Sequence, residues 1–267
     1  MVILAVSDVH LGYSHSNVDD FEAFLQSVIG RTDVDALVIL GDFIDMWRRD
    51  VSGLFLENHR ILQSLLTLQQ KKPVYYVVGN HDYHLLKLVD HKYPLKFKDE
   101  LTLPGNDFTY VFKHGYEFDS EQVPPLMDLL CDTTSDEGGQ ARSDIWVKLA
   151  SSGEPLEPIS QRIEVHFTAG KYLQHLLTPP KDRLSAPPGT TYSEVEKKAV
   201  ESVQTGQLLV FGHTHRPFFS PTQNLVNTGS WVNEEETYNT YVELDRKNIR
   251  LMRYGQGDIT KEMTRTV

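Results

Sequence analysis

The chain has 267 residues, 40% of them hydrophobic and 24% charged, enough for one full core with an added subdomain. Its formal charge of -11 argues against a broad nucleic-acid surface. No apolar run approaches a membrane span, Met1 to Val6 is too short for a signal peptide, and a single cysteine, Cys131, suits a reducing cytoplasmic setting.

Val2 to Ser7 reads as a buried first strand, with Asp8-Val9-His10 just past its end. Phe21, Phe24, Leu25 and Val28 recur at helical spacing and predict a helix. Ala36 to Leu40 is a second apolar run ending in Gly41-Asp42, and a helical stretch follows from about Leu54 to Gln70. Pro73 precedes a third run, Val74 to Val78, which ends in Gly79-Asn80-His81-Asp82. This alternation predicts a parallel or mixed sheet covered on both faces. Phe108 to Phe112 is a fourth strand-like run and leads into Lys113-His114-Gly115.

From Asp119 the texture changes: Pro124-Pro125, Pro179-Pro180 and Pro187-Pro188 punctuate stretches of helical periodicity. We read residues 119–205 as a mainly helical cap inserted into a core made of residues 1–118 and 206–267. Its last helix, about Tyr192 to Val203, returns to the sheet. The run Leu209-Val210-Phe211 then stops at Gly212, a residue that permits a sharp exit from the strand. His213 and His215 are expected to project from that strand end on the same side, as alternate residues do. Asn224–Thr228, Thr237–Leu244 and Ile249–Tyr254 predict an antiparallel second sheet, with a hairpin turn at Lys247-Asn248. The expected fold class is α/β (α+β), a two-sheet core flanked by helices and bearing the cap.

In open α/β sheets ligands bind outside the carboxyl ends of the strands. The residues there are Asp8, His10, Asp42, Asn80, His81, His114, His213 and His215, drawn from five separate segments. Each alone is an ordinary turn, cap or strand-end residue. Together they form a mixed oxygen and imidazole donor set that suits Mn, Fe, Zn or Mg ions rather than a cysteine-rich structural zinc site. The set is too large for one ion, and a carboxylate within it can bridge two, the arrangement used in two-metal hydrolysis.

The motifs Asp8-x-His10, Gly41-Asp42, Gly79-Asn80-His81-Asp82, His114-Gly115 and Gly212-His213-x-His215, in this order, resemble the calcineurin-like metallophosphoesterase family. The resemblance implies a four-layer β-sandwich flanked by helices, with a dinuclear centre at one edge, manganese being the expected metal. It implies that Asp8, His10 and His215 hold one ion, that Asn80, His114 and His213 hold the other, and that Asp42 bridges them. His81 would be the catalytic residue, contacting the phosphate and stabilising charge or protonating the leaving oxygen. A bridging water or hydroxide is the expected nucleophile, because a bound metal lowers the pKa of water toward 7. Gly41 to Trp47 and Gly212 to Pro217 look most like the UDP-2,3-diacylglucosamine pyrophosphatase branch of the family. The chain departs from that branch in carrying His81 in place of an arginine and Tyr116 in place of an acidic residue.

Asp82 is read as an outer partner that orients a neighbouring group, since such carboxylates commonly fix ligand histidines, and Asp45 as another such partner or simply a helix-start residue. Arg216, directly after the histidine pair, is the first choice for a substrate phosphate, ahead of Arg48 and Arg49. Leu126, Leu129, Leu130, Trp146 and Phe167 of the cap would line an acyl or base pocket or simply form the cap's own core. His15, His59, His84, His91, His166 and His175 have no comparable context, and Cys131 is read as inert. The expected activity is hydrolysis of a phosphodiester or pyrophosphate bond in a small-molecule phosphoester or nucleotide-linked substrate, a lipid-bearing one among the candidates. A phosphomonoesterase or nuclease of the same family, and a non-catalytic metal-binding module, stand as the alternatives.

Overall fold

A computed structural model of the chain describes residues 1–88, 94–118, 192–246 and 248–267. Successive side chains of a strand point to opposite faces, and β1 (Ile3–Val6) shows what this does here. Ile3 and Ala5 join one buried cluster, Leu4 and Val6 another. The Leu4 and Val6 side is roofed by α1 (Val18–Gly30) and α2 (Val51–Lys71), through Phe21, Phe24, Leu25, Ile61 and Leu65. The Ile3 and Ala5 side meets a second sheet through Phe112, Leu208, Val210 and Val226. The far face of that second sheet, with Leu209 and Phe211, is covered by Val195 and Ala199 of α3 (Tyr192–Ser202). The layers therefore run helix, sheet, sheet, helix.

The first sheet contains β2 (Ala36–Leu40), β3 (Val74–Val77), β4 (Lys96–Lys98), β10 (Thr240–Leu244), β11 (Ile249–Arg253) and β12 (Gly257–Asp258) beside β1. Its order is β12-β11-β10-β1-β2-β3-β4, and β1 to β4 are parallel. The second sheet is β5-β6-β7-β9-β8, built from β5 (Glu100–Pro104), β6 (Thr109–Lys113), β7 (Gln207–Phe211), β8 (Phe218–Ser220) and β9 (Leu225–Asn227). Here β6, β7 and β9 are parallel, and β5 and β8 are antiparallel edges.

This topology corrects the expectation of an antiparallel second sheet at the end of the chain. Of the three segments expected there, only Asn224–Thr228, which contains β9, contributes to the second sheet, where β9 runs parallel to β7. The β10–β11 hairpin instead extends the first sheet, with Ala5 opposite Val242 and Ile3 opposite Leu244. Val242 and Leu244 share a buried cluster with Ile3 and Ala5, so burial against residues more than 200 positions away selects the partner. Asn248 closes the hairpin through its backbone N–H to Asp245 Oδ1 (2.8 Å), while Lys247 lies outside the described residues. So do residues 119–191, which include most of the expected cap, its proline pairs, Cys131 and the apolar residues named for it. Among the described residues no helix is long and apolar enough to cross a membrane.

Candidate metal centre

The loops that follow β1, β2, β3, β6 and β7 meet at one edge of the two sheets. Main-chain hydrogen bonds join the first two: Asp8 N–H donates to the Gly41 carbonyl (3.1 Å), His10 N–H to Asp42 (2.8 Å) and Asp45 N–H to Leu11 (2.9 Å). Gly212 N–H donates to the His114 carbonyl (2.8 Å), and Trp231 N–H to Asp8 (3.0 Å). Two glycines make this convergence possible. A Cβ on Gly79 would strike the Asp42 side chain and backbone, and one on Gly212 would strike Ser7 and the Asp8 carboxylate. Close approach, rather than a sharp turn alone, is why Gly212 is a glycine.

Asp8, His10, Asp42, His213 and His215 all have left-handed backbone, with φ between +50° and +66°. They are five of the seven non-glycine residues in that region among those described, so strain is concentrated at this edge. Each such residue costs about 1–3 kcal/mol and persists only where the surroundings hold it. Aspartate and histidine tolerate the region better than most residues. For the histidine pair this replaces the expected strand-like alternation. His213 and His215 leave a left-handed loop and enter different groups of donors.

One group is Asp8, His10 and His215; another is Asp42, His114 and His213. Within each, one donor atom per residue lies within 4.8 Å of the others. Asp42 sits at the junction. Its Oδ1 accepts the His81 N–H (2.8 Å), while its Oδ2 faces the Nε2 atoms of His114 (3.3 Å), His10 (3.7 Å) and His81 (3.8 Å). Asn80, between Gly79 and His81, is buried, and its Oδ1 makes no hydrogen bond.

These contacts test whether metal ions fit. His114 Nδ1 lies 2.6 Å from the Leu40 carbonyl, which can only accept, so Nδ1 carries the proton. A neutral His114 then turns the lone pair of Nε2 toward the Asp42 carboxylate, two acceptors with nothing between them. Buried polar atoms are rarely left so. Asp8 Oδ1, Asn80 Oδ1 and His114 Nε2 are buried without a hydrogen bond, and a cation satisfies all three kinds of donor. In the absence of metal, protons take that place. Burial opposes the His114 imidazolium, yet the Asp42 and Asp8 charges outweigh it and raise its pKa to about 10. His10 rises to about 9 against the same burial, held by its hydrogen bond to Asp45 and by the Asp8 and Asp42 carboxylates. Asp8 stays well below the usual carboxylate range despite burial, because His215 and His114 face it.

His81 is buried, and burial pulls its pKa down to about 4 although Asp45 and Asp42 oppose this. Its Nδ1 donates to Asp45 Oδ1 (2.9 Å), which leaves Nε2 on the Asp42 side. Trp47 stacks on the ring with centroids 4.0 Å apart, and His10 meets it edge-on at 4.7 Å.

Asp45 holds more than the sequence suggests. Its Oδ2 accepts a hydrogen bond from His10 Nδ1 (3.0 Å), and the carboxylate also accepts from His81 and Arg48. Burial works against its ionisation, but the His81 and Arg48 groups and the imidazole hydrogen bonds keep it well below its ordinary pKa. Asp82 braces the turns after β2 and β3, accepting from Phe43 N (2.9 Å), Gly79 N (2.6 Å) and Tyr76 Oη (2.6 Å). Burial and the nearby Asp42 charge raise its pKa to about 6. Arg216 is exposed beside His215, and Tyr116 is buried with its ring 6.0 Å from His114.

Asn227 has no counterpart in the sequence reading. Its amide donates to the Gly212 carbonyl (2.7 Å) and to Thr214 Oγ1 (3.2 Å), fixing the loop that carries both histidines. The signal that could have found it is a polar side chain ending the apolar run of β9.

Residues 1–217 match the model of the family described as calcineurin-like phosphoesterase. A UDP-2,3-diacylglucosamine hydrolase of Coxiella burnetii (strain RSA 331 / Henzerling II) is 28% identical over 247 residues, 85% of this chain and 88% of that protein. A protein of the same name from Shewanella baltica (strain OS155 / ATCC BAA-1091) is 31% identical over 249 residues, 88% of this chain and 91% of its own length. Among solved structures, a novel archaeal phosphodiesterase is similar over 94% of this chain and 99% of its own, with a TM-score of 0.45 and 14% identity.

Proposed function

The chain belongs to the calcineurin-like phosphoesterase family and is a metal-dependent hydrolase of phosphodiester or pyrophosphate bonds; from that premise we propose a dinuclear centre and a lipid-bearing nucleotide-sugar substrate. Asp8, His10 and His215 would hold one ion and Asn80, His114 and His213 the other, with Asp42 shared. The observation that carries this reading is Asp42 Oδ2, a single carboxylate oxygen faced by three imidazole nitrogens. We take manganese as the first choice of metal, and the mixture of imidazole, carboxylate and amide donors suits iron, zinc and magnesium as well. When bound, such ions supply Lewis acidity at the phosphoryl group and lower the pKa of water toward 7.

The chain's own residues would do the rest. Asp45 holds the His10 and His81 rings by their Nδ1 atoms, so that each presents Nε2 to the centre. His81, caged by Trp47 and His10, would act in its protonated form, donating Nε2–H to a phosphoryl oxygen or passing that proton to the departing oxygen. Asp82 and Asn227 hold the ligand-bearing turns in place.

For the substrate, support comes from relatives named UDP-2,3-diacylglucosamine hydrolase that match across 85–88% of this chain. Residues 119–191 would then contribute to choosing the lipid, and the single cysteine fits a reducing cytoplasm. The test is hydrolysis of UDP-2,3-diacylglucosamine by the manganese-loaded chain, beside its deacylated counterpart and bis(p-nitrophenyl) phosphate. Preference for the acylated substrate supports the reading. Equal turnover of the acylated and deacylated compounds would remove the lipid from it.

A further inference from the structure

Three arginines lie close to the ligand segments in sequence, and the structure separates them. Arg49 pairs with Glu57 at the surface and has Asp50 Oδ2 3.7 Å away. Arg216 is exposed. Arg48 is only 20% exposed and is built into the shell of the centre. Its Nη1 donates to Asp45 Oδ2, the oxygen that also binds His10, and its backbone N–H donates to Asp45 Oδ1 (3.0 Å). The guanidinium carbon lies 4.3 Å from the centroid of the Tyr13 ring, whose hydroxyl is tied to Glu234.

A guanidinium is a planar fork of five N–H donors. One edge of Arg48 is spent on Asp45, and Nε and Nη2 make no hydrogen bond to any described residue. Anchored at one edge and laid on an aromatic face, the fork has lost most of its rotamer freedom before a ligand arrives. Binding a ligand then costs little further ordering. A diphosphate diester carries a negative charge on each phosphoryl group. The centre engages the one that is cleaved, and the other needs a donor of its own beside it.

We infer that Arg48 is a specificity-determining residue that grips the second, uncleaved phosphoryl group, so that the site selects diphosphates over simple phosphodiesters. This rests on the phosphoesterase reading above.

Binding of UDP and of UMP to the manganese-loaded full chain, measured by calorimetry, tests it apart from turnover. The unaltered chain should bind UDP at least about tenfold more tightly than UMP, the worth of a hydrogen bond to a charged group. Arg48→Met should abolish that preference by weakening UDP far more than UMP. Arg48→Lys, which keeps the charge but not the fork, should retain part of it. Equal weakening of both nucleotides would mean that Arg48 acts only through Asp45, and no change in either would make it an ordinary surface arginine; both results overturn the inference. Hydrolysis of bis(p-nitrophenyl) phosphate is followed alongside. Its absence with manganese, zinc and magnesium would strike the phosphoesterase reading, whereas the UDP-to-UMP ratio judges Arg48 alone.

Discussion

His10 Nε2 lies 3.2 Å from His215 Nε2, although the two residues are 205 positions apart. At that separation a proton or a cation must sit between the nitrogens. His10 Nδ1 is committed to the Asp45 carboxylate, so the proton or ion is shared at the Nε2 face. Metal binding and protonation therefore compete for the same position.

The first prediction concerns the metal-free protein. His10 and His114 have folded pKa values of about 9 and about 10, above the ordinary 6.5. A raised histidine pKa contributes stability that is complete below 6.5 and lost as pH rises through the folded value. His81 (about 4) titrates below this window, while Asp82 (about 6) completes its ionisation at the lower edge of the window and adds to the fall there, because its carboxylate form is disfavoured in the folded chain. After chelation, the melting temperature should fall by roughly 5 °C or more between pH 6.5 and pH 10. With manganese bound the fall should be much smaller, and loading at pH 7 should release protons, measurable with a pH indicator. A chelated protein whose melting temperature stays level across that window would contradict the assignment.

Asp42→Asn keeps the shape of the side chain and removes the charge that faces three imidazoles. We expect metal content to drop and turnover to fall by about a thousandfold or more, as for loss of a group shared by the whole centre. Elemental analysis and turnover at saturating manganese measure the two effects. Wild-type hydrolysis by this variant would rule out Asp42 as the shared ligand.

Gly212→Ala places a methyl group against Ser7 and the Asp8 carboxylate, both rooted in the end of β1. Neither can swing aside cheaply, since Ser7 Oγ is held by Thr228 Oγ1 (2.6 Å) and the Gly229 carbonyl (2.9 Å). A loss of about 1–3 kcal/mol in stability is expected from overpacking. Weaker metal binding should accompany it, because Asp8 is displaced from His10 and His215. Chemical denaturation and metal titration report the two separately.

Much of this was legible in the sequence, because buried parallel strands are continuous apolar runs and the donor residues directly follow them. Ala36 to Leu40 and the residues after it needed no tertiary information. The short strands β4, β8 and β12 were not legible, since two or three residues give no periodicity to read. The placement of β10 and β11 failed for another reason: strand pairing depends on which distant apolar face is free, and Val242 does not encode Ala5 locally. The same limit hid the reach of Asp45. As a lone carboxylate three residues after Asp42 it suggested an outer partner or a helix start. Its role as a joint hold on His10, His81 and Arg48 exists only once the loops after β1, β2 and β3 are aligned. The left-handed backbone of Asp8, His10, Asp42, His213 and His215 also leaves no local mark beyond the preference of aspartate and histidine for that region.

The last prediction separates chemistry from metal binding at His81. This residue shares a possible donor group with His10 and Asp45, so a ligand role competes with a catalytic one. Its Nδ1 is occupied by Asp45, and its Nε2 is 3.8 Å from Asp42 Oδ2, placing the ring beside the centre. His81→Gln keeps a hydrogen-bonding side chain but removes the titratable nitrogen. Turnover should drop by about 10²–10⁴, the range for losing a general acid or base, while metal content stays near the wild-type value. Asp45→Asn should lower turnover as well and also weaken metal retention, because it releases His10 together with His81. Metal analysis and steady-state kinetics on both variants decide the matter. Parallel loss of metal and turnover in His81→Gln would make His81 a ligand instead.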